Sequence, residues 1–88
     1  MKIKIRRYKD LLSEYTDITT PGGLLDFTDQ HTGIWFNPRM TDLCGETHIA
    51  SISCYDNEPC YIVERPREVG YWLIAPSWVE EVYNAEET

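Results

Sequence analysis

Long apolar runs are missing from this chain. No stretch approaches the roughly 20 consecutive apolar residues that a membrane-spanning helix requires. The opening residues, Lys2-Ile3-Lys4-Ile5-Arg6-Arg7, alternate and supply no apolar segment of a secretory leader. Cysteine is scarce too: Cys44, Cys54 and Cys60 form an odd set with no CxxC pair. That argues against a disulfide framework and for a reducing, cytoplasmic setting. The nucleotide and metalloprotease signatures GxxxxGKS/T, GxGxxG and HExxH are absent, and no internal repeat is visible.

Positive charge is nearly absent beyond the ninth position. Lys2, Lys4, Arg6, Arg7 and Lys9 account for five of the eight basic residues; from Asp10 onward fifteen acids face only Arg39, Arg65 and Arg67, a net of −12. A surface of that sign repels nucleic-acid phosphates within a Debye length of about 8 Å. It attracts and steers a basic protein surface instead. Direct DNA or RNA binding is therefore disfavoured, except through the N-terminal basic stretch.

The apolar content that is present suffices for one core. The 88 residues are 42% hydrophobic and 12% aromatic, which excludes a disordered chain and leaves no room for a second domain. Three Trp and six Tyr bury much area per residue, as a small barrel or sandwich requires. The expected fold class is mainly β with short helices. One domain is expected over 1–83, followed by an acidic tail over 84–88.

Period-two alternation predicts a strand over 2–7, with charged side chains suited to a sheet edge. Tyr8, Leu11, Leu12 and Tyr15 fall at helical spacing and predict one or two helical turns. Residues 16–33 read as a long surface loop, turned at Pro21-Gly22-Gly23, with room for a short strand at 24–27. After Ile34-Trp35-Phe36, Asn37 has the chemistry of an N-cap, Pro38 suits the first helical position and Gly45 suits the residue past the end. Met40, Leu43 and Cys44 then share the inward face of a short helix. Glu46–Tyr55 reads as a strand with two mixed faces. Asp56-Asn57-Glu58-Pro59 reads as a turn, Cys60–Glu64 and Tyr71–Ile74 as further strands, and Trp78–Tyr83 as a helical turn.

Chemistry-bearing residues are few. His31, Cys44, His48, Cys54 and Cys60 offer nitrogen and sulfur, and Cys54 and Cys60 could meet across a hairpin. The second half of a paired zinc motif is missing, so no metal or other cofactor is expected. Cys44 falls at a helix C-terminus, where the dipole raises a thiol pKa, the wrong end for a nucleophile. Glu80-Glu81 and Glu86-Glu87 read as solvated carboxylates without a pocket to tune them. No enzyme activity is expected. Trp35, Phe36, Tyr61, Trp72 and Trp78 read as core. Tyr55, Tyr71 and Tyr83 flank turns and acids.

The segment from Ile34 to Val82 resembles a family of small bacteriophage and prophage proteins with an SH3-like β-barrel. The likeness is carried by Phe36-Asn37-Pro38-Arg39-Met40-Thr41-Asp42-Leu43-Cys44-Gly45, by the strand Tyr61-Ile62-Val63, by the Trp strand Tyr71-Trp72-Leu73-Ile74 and by the closing Ala75-Pro76-Ser77-Trp78-Val79. Val79 stands where that pattern usually has Met. The resemblance implies an SH3-like barrel of about five strands, no catalytic residues, and protein binding through exposed aromatics and acidic loops. Anti-defence inhibitors, anti-CRISPR proteins among them, belong to the same class of phage products; a phage-encoded chain would act in the host cytoplasm.

The best local hint of function is Tyr55 and Tyr71 beside Asp56, Glu58, Glu64 and Glu68, a set suited to a partner bearing Arg or Lys. The first expectation is a protein-binding module, monomer or homodimer, that holds or inhibits a host protein with a basic surface. The alternatives are a nucleic-acid module using Lys2 to Lys9 and an assembly protein that pairs through strand 2–7.

Overall fold

Alternating Ile3 and Ile5 between charged neighbours makes the first strand, and both isoleucines are fully buried. The computed structural model describes residues 1–14 and 24–83. In chain order these form β1 (Lys2–Ile5), α1 (Tyr8–Glu14), β2 (Phe27–Thr28), β3 (Trp35–Phe36), the 3-10 helix η1 (Pro38–Leu43), β4 (Thr47–Tyr55), β5 (Glu58–Glu64), β6 (Tyr71–Ile74), the 3-10 helix η2 (Pro76–Trp78) and β7 (Val79–Tyr83). The protein is mainly β, as its composition and alternation predict.

Five strands make one antiparallel sheet in the order β6-β5-β4-β1-β7, and β2 pairs with β3 in a separate two-stranded ribbon. The expected barrel is not closed: β6 and β7 lie at opposite edges and do not pair with each other. Closure needs strands long enough to tilt and shear into register. Here β6 has only four residues.

Strand 2–7 was expected at an edge, yet β1 lies inside the sheet between β4 and β7. One of its two lysines is compensated by a neighbouring strand: Lys4 Nζ lies 3.0 Å from Glu80 Oε2. The expected helical turn over Trp78–Tyr83 is also corrected. The helical geometry ends at Trp78, and Val79–Tyr83 extends to pair with β1. The pattern Val-Glu-Glu-Val-Tyr favours strand through its β-branched and aromatic residues.

The capped turn forms as its sequence dictates. Asn37 is extended and its side-chain oxygen accepts from the Arg39 N–H at 3.0 Å; Pro38 follows, and Gly45 takes φ +77°. The helix is 3-10 in type, burying Met40 and Leu43 while Cys44 is half-buried. Asp56 and Asn57 form the β4–β5 turn with φ of +50° and +67°, the left-handed pair that a tight hairpin demands.

The core lies on one side of the sheet, under the β2–β3 ribbon. Phe27 stacks on Phe36 at 5.2 Å, and the Trp78 indole meets both rings edge-on at 5.7 and 5.2 Å. The expected surface loop is thus in part a lid: Leu25, Phe27, Asp29 and Thr32 are all buried. Its Leu25 N–H donates to the Tyr8 hydroxyl at 3.0 Å, tying it to α1. The expected turn at 21–23 and the tail over 84–88 lie outside the described residues.

Candidate functional site

The β2–β3 register decides which aromatic faces solvent. Phe27 opposes Phe36 and Thr28 opposes Trp35. Cross-strand partners share a face, so the phenylalanines point inward and Trp35 points outward. Trp35 is 52% exposed, against the expectation of core burial, while Phe36, Trp72 and Trp78 are buried. The Trp35 ring is nonetheless held in place: its Nε1–H donates to Asp26 Oδ1 at 2.6 Å.

Tyr55 and Tyr71 join Trp35 along one groove of about 300 Å³. Tyr71, Trp72 and Leu73 all line it. Consecutive strand residues point to opposite faces, so a groove touching all three runs along the free edge of β6. Its other wall is Gly33, Ile34 and Trp35. Gly33 has φ +79°, a left-handed conformation that favours glycine; a Cβ there would make only an ordinary contact, 3.6 Å from Tyr55 Cε1, so the turn conformation and not space asks for glycine.

Each exposed ring has a carboxylate beside it. Asp26 accepts from Trp35; Glu58 is the cross-strand partner of Tyr55; Glu64 is the cross-strand partner of Tyr71. Of the predicted residues Tyr55 and Tyr71 line the groove, while Glu58 and Glu64 stand beside them as cross-strand partners and are not part of its lining. Asp56 lies in the hairpin turn. Glu68 stands apart: it bonds to Arg39, and its other oxygen is 3.7 Å from Arg65 Nη1. The hydrogen bond from Arg39 holds the Glu68 carboxyl below the usual carboxylate range. Glu68 is an internal partner, and its charge is compensated.

Trp35 and Asp26 were missed by sequence reasoning. Ile34-Trp35-Phe36 is apolar throughout, so strand alternation sets Trp35 apart from its neighbours without saying which face is buried. The partner Asp26 is nine residues away, and only the ribbon register brings it there.

The basic N-terminal stretch is largely paired internally. Lys4 meets Glu80, Arg6 meets Glu14 at 2.5 Å, and Arg7 meets Asp10 at 3.2 Å. Among the described residues Lys2 and Lys9 make no ion pair.

The nitrogen and sulfur side chains are dispersed. Among the described residues no three His, Cys, Asp or Glu side chains stand close enough together to hold a metal ion. His48 Nε2 lies 3.0 Å from the Leu43 carbonyl oxygen. Cys60 pairs with Ser53 and Cys54 with Pro59, so the two thiols lie on opposite faces of the hairpin and do not meet as expected; Cys60 is buried and Cys54 exposed. Burial, with a smaller push from Asp42, raises the Cys44 thiol to about 11. At pH 8 a thiol of that pKa is on the order of 0.1% thiolate. Iodoacetamide at pH 8 is therefore expected to label Cys54 first, at least tenfold faster than Cys44 or Cys60. Peptide mapping by mass spectrometry checks it, and comparable labelling of Cys44 contradicts it.

No described helix is long and apolar enough to cross a membrane. In comparisons with family models, with curated proteins and with solved structures, nothing matches the chain.

Proposed function

We propose that this chain is a non-catalytic protein-binding module whose working surface is the groove edged by Trp35, Tyr55 and Tyr71. One observation carries the reading. Trp35 is half exposed and yet fixed by Asp26. An aromatic already held in place loses little conformational freedom on binding, which is the property of an interface anchor. Carboxylates beside all three rings, on a chain of net charge −7, favour a partner with a basic surface.

The test is capture from cell lysate on the immobilised protein, with bound proteins identified by mass spectrometry. The wild type is expected to retain a basic partner in a salt-sensitive manner. Trp35→Ala with Tyr71→Ala, and separately Glu58→Lys with Glu64→Lys, are expected to retain at least tenfold less. These four side chains are exposed or on the rim, so the variants should keep the fold, as an unchanged circular dichroism spectrum would show. Equal recovery by all three proteins would remove the proposal. The finer expectation, a phage or prophage product that inhibits a host protein, rests on the resemblance over 34–82 alone. Genes of a defence locus or an early phage operon beside this one would support it, and virion structural genes would favour assembly.

A further inference from the structure

The two edges of the sheet are treated differently. An unpaired edge strand invites pairing with another chain, and proteins blunt such edges with charge, proline or a bulge. The β7 edge is blunted: Glu80 and Glu81 sit side by side, Lys4 pairs with Glu80, and the β1–β7 register shifts between Lys4 and Ile5. The β6 edge has none of these devices. Tyr71-Trp72-Leu73-Ile74 carries no charge and no proline, and its register with β5 is continuous. The aromatic groove runs along this uncharged edge, with Gly33, Ile34 and Trp35 across it.

We infer that the partner docks as an extended basic segment that pairs with β6 as a sixth strand. This rests on the protein-binding reading and specifies its mode. A strand rises about 3.3 Å per residue, so the four residues of β6 pair with about four residues of the segment, or about six with one flanking residue at each end. Alternate side chains of the segment go to different surroundings. Those on the Tyr71 face can lie across the ring and end near Glu64, a place for Arg or Lys. Those on the opposite face lie over Trp72, Ile34 and Met40, which the core already buries, so that side has room only for a small aliphatic residue. Arg65, the cation on the groove's lining, covers the Trp72 ring at 4.0 Å and shares Glu68 with Arg39; Trp72 and Tyr71 point to opposite faces of the strand, so arginines of the segment laid on the Tyr71 face are separated from it by the sheet. Charge complementarity selects a basic segment over a second copy of this acidic chain.

The probe is a synthetic peptide of about six residues alternating arginine and valine, capped at both ends, titrated into isotopically labelled protein and followed by amide chemical shifts. Two control peptides accompany it, one with glutamate for arginine and one with every second backbone nitrogen methylated. Methylation leaves the side chains intact and removes main-chain pairing, and it alters the ligand and not the protein. The expected result is saturable binding with shifts centred on the amides of Tyr71 to Ile74, at least tenfold weaker for both controls. Equal binding of the methylated peptide would overturn strand addition and leave the basic-partner reading standing. Equal binding of the glutamate peptide, or no binding of the arginine peptide at millimolar concentration, would also overturn the inference. So would a dimer in sedimentation whose β6 amides are already protected without peptide, since the edge would then belong to a second copy. The capture experiment above decides the broader reading separately.

Discussion

Trp78→Ala is expected to destabilise the fold by about 3–5 kcal/mol, as removal of large buried aromatics does. Domains of this size have net stabilities of about 5–15 kcal/mol, so a substantial share is at stake. The indole is fully buried and meets Phe27 and Phe36 edge-on. Its loss leaves a cavity where the β2–β3 ribbon, η2 and the sheet converge, and none of the three can collapse into it without giving up its own pairing. The measurement is urea unfolding, with the midpoint shifting and the slope unchanged. Trp78→Phe is the informative companion. Among the described residues the Trp78 Nε1–H has no hydrogen-bond partner, so phenylalanine gives up no bond and is expected to cost about 1–2 kcal/mol. A Trp78→Ala effect below 1 kcal/mol would mean that the ribbon does not depend on this contact.

The second large effect lies at Asp29. Its carboxylate is buried, with Oδ2 accepting from the Thr32 N–H at 2.9 Å and the Thr32 hydroxyl at 2.7 Å, and Oδ1 accepting from the Ser77 hydroxyl at 3.1 Å. One side chain thus pins the β2–β3 turn and joins it to η2. Burial alone would raise its pKa; the hydrogen bonds from Thr32 and Ser77 outweigh that, and the net direction is down from 3.8. A carboxyl lowered by folding stabilises the native state at pH above its unfolded value. That contribution fades as pH falls through the folded value. Asp29→Ala is expected to cost about 2–3 kcal/mol at neutral pH, since it strands buried donors. The deficit relative to wild type should shrink below about pH 4. Urea unfolding of both proteins between pH 7 and pH 2 checks this, and a deficit that stays constant throughout would contradict it.

Local chemistry made much of the fold legible. Asn37, Pro38 and Gly45 marked their helix because each position asks for one backbone geometry and one missing or satisfied hydrogen bond. Asp56-Asn57 marked its hairpin for the same reason. Long-range pairing was not legible. Nothing in Lys2 to Ile5 says that β7 will add to its far side, and the charged alternation of an inner strand here looks like that of an edge. Val79 to Tyr83 follows a helical turn, so its period was misread until the partner strand was known. For the site, Tyr55 and Tyr71 were found because turns and acids flank them. Trp35 was not, because exposure of a tryptophan is decided by ribbon register. Glu68 was placed in the set by charge alone, and Arg39, 29 residues away, claims it.

The sheet order gives its two halves different schedules during synthesis. The meander β4-β5-β6 is joined by short connections and can assemble soon after it leaves the ribosome. β1 cannot acquire both neighbours until residues 79–83 have emerged. Contacts of such wide sequence separation form slowly. β7 follows β6 after only the short helix η2, so the strand that begins the chain order of the sheet is the last to gain both of its neighbours, and the sheet is completed around its first strand at its final step.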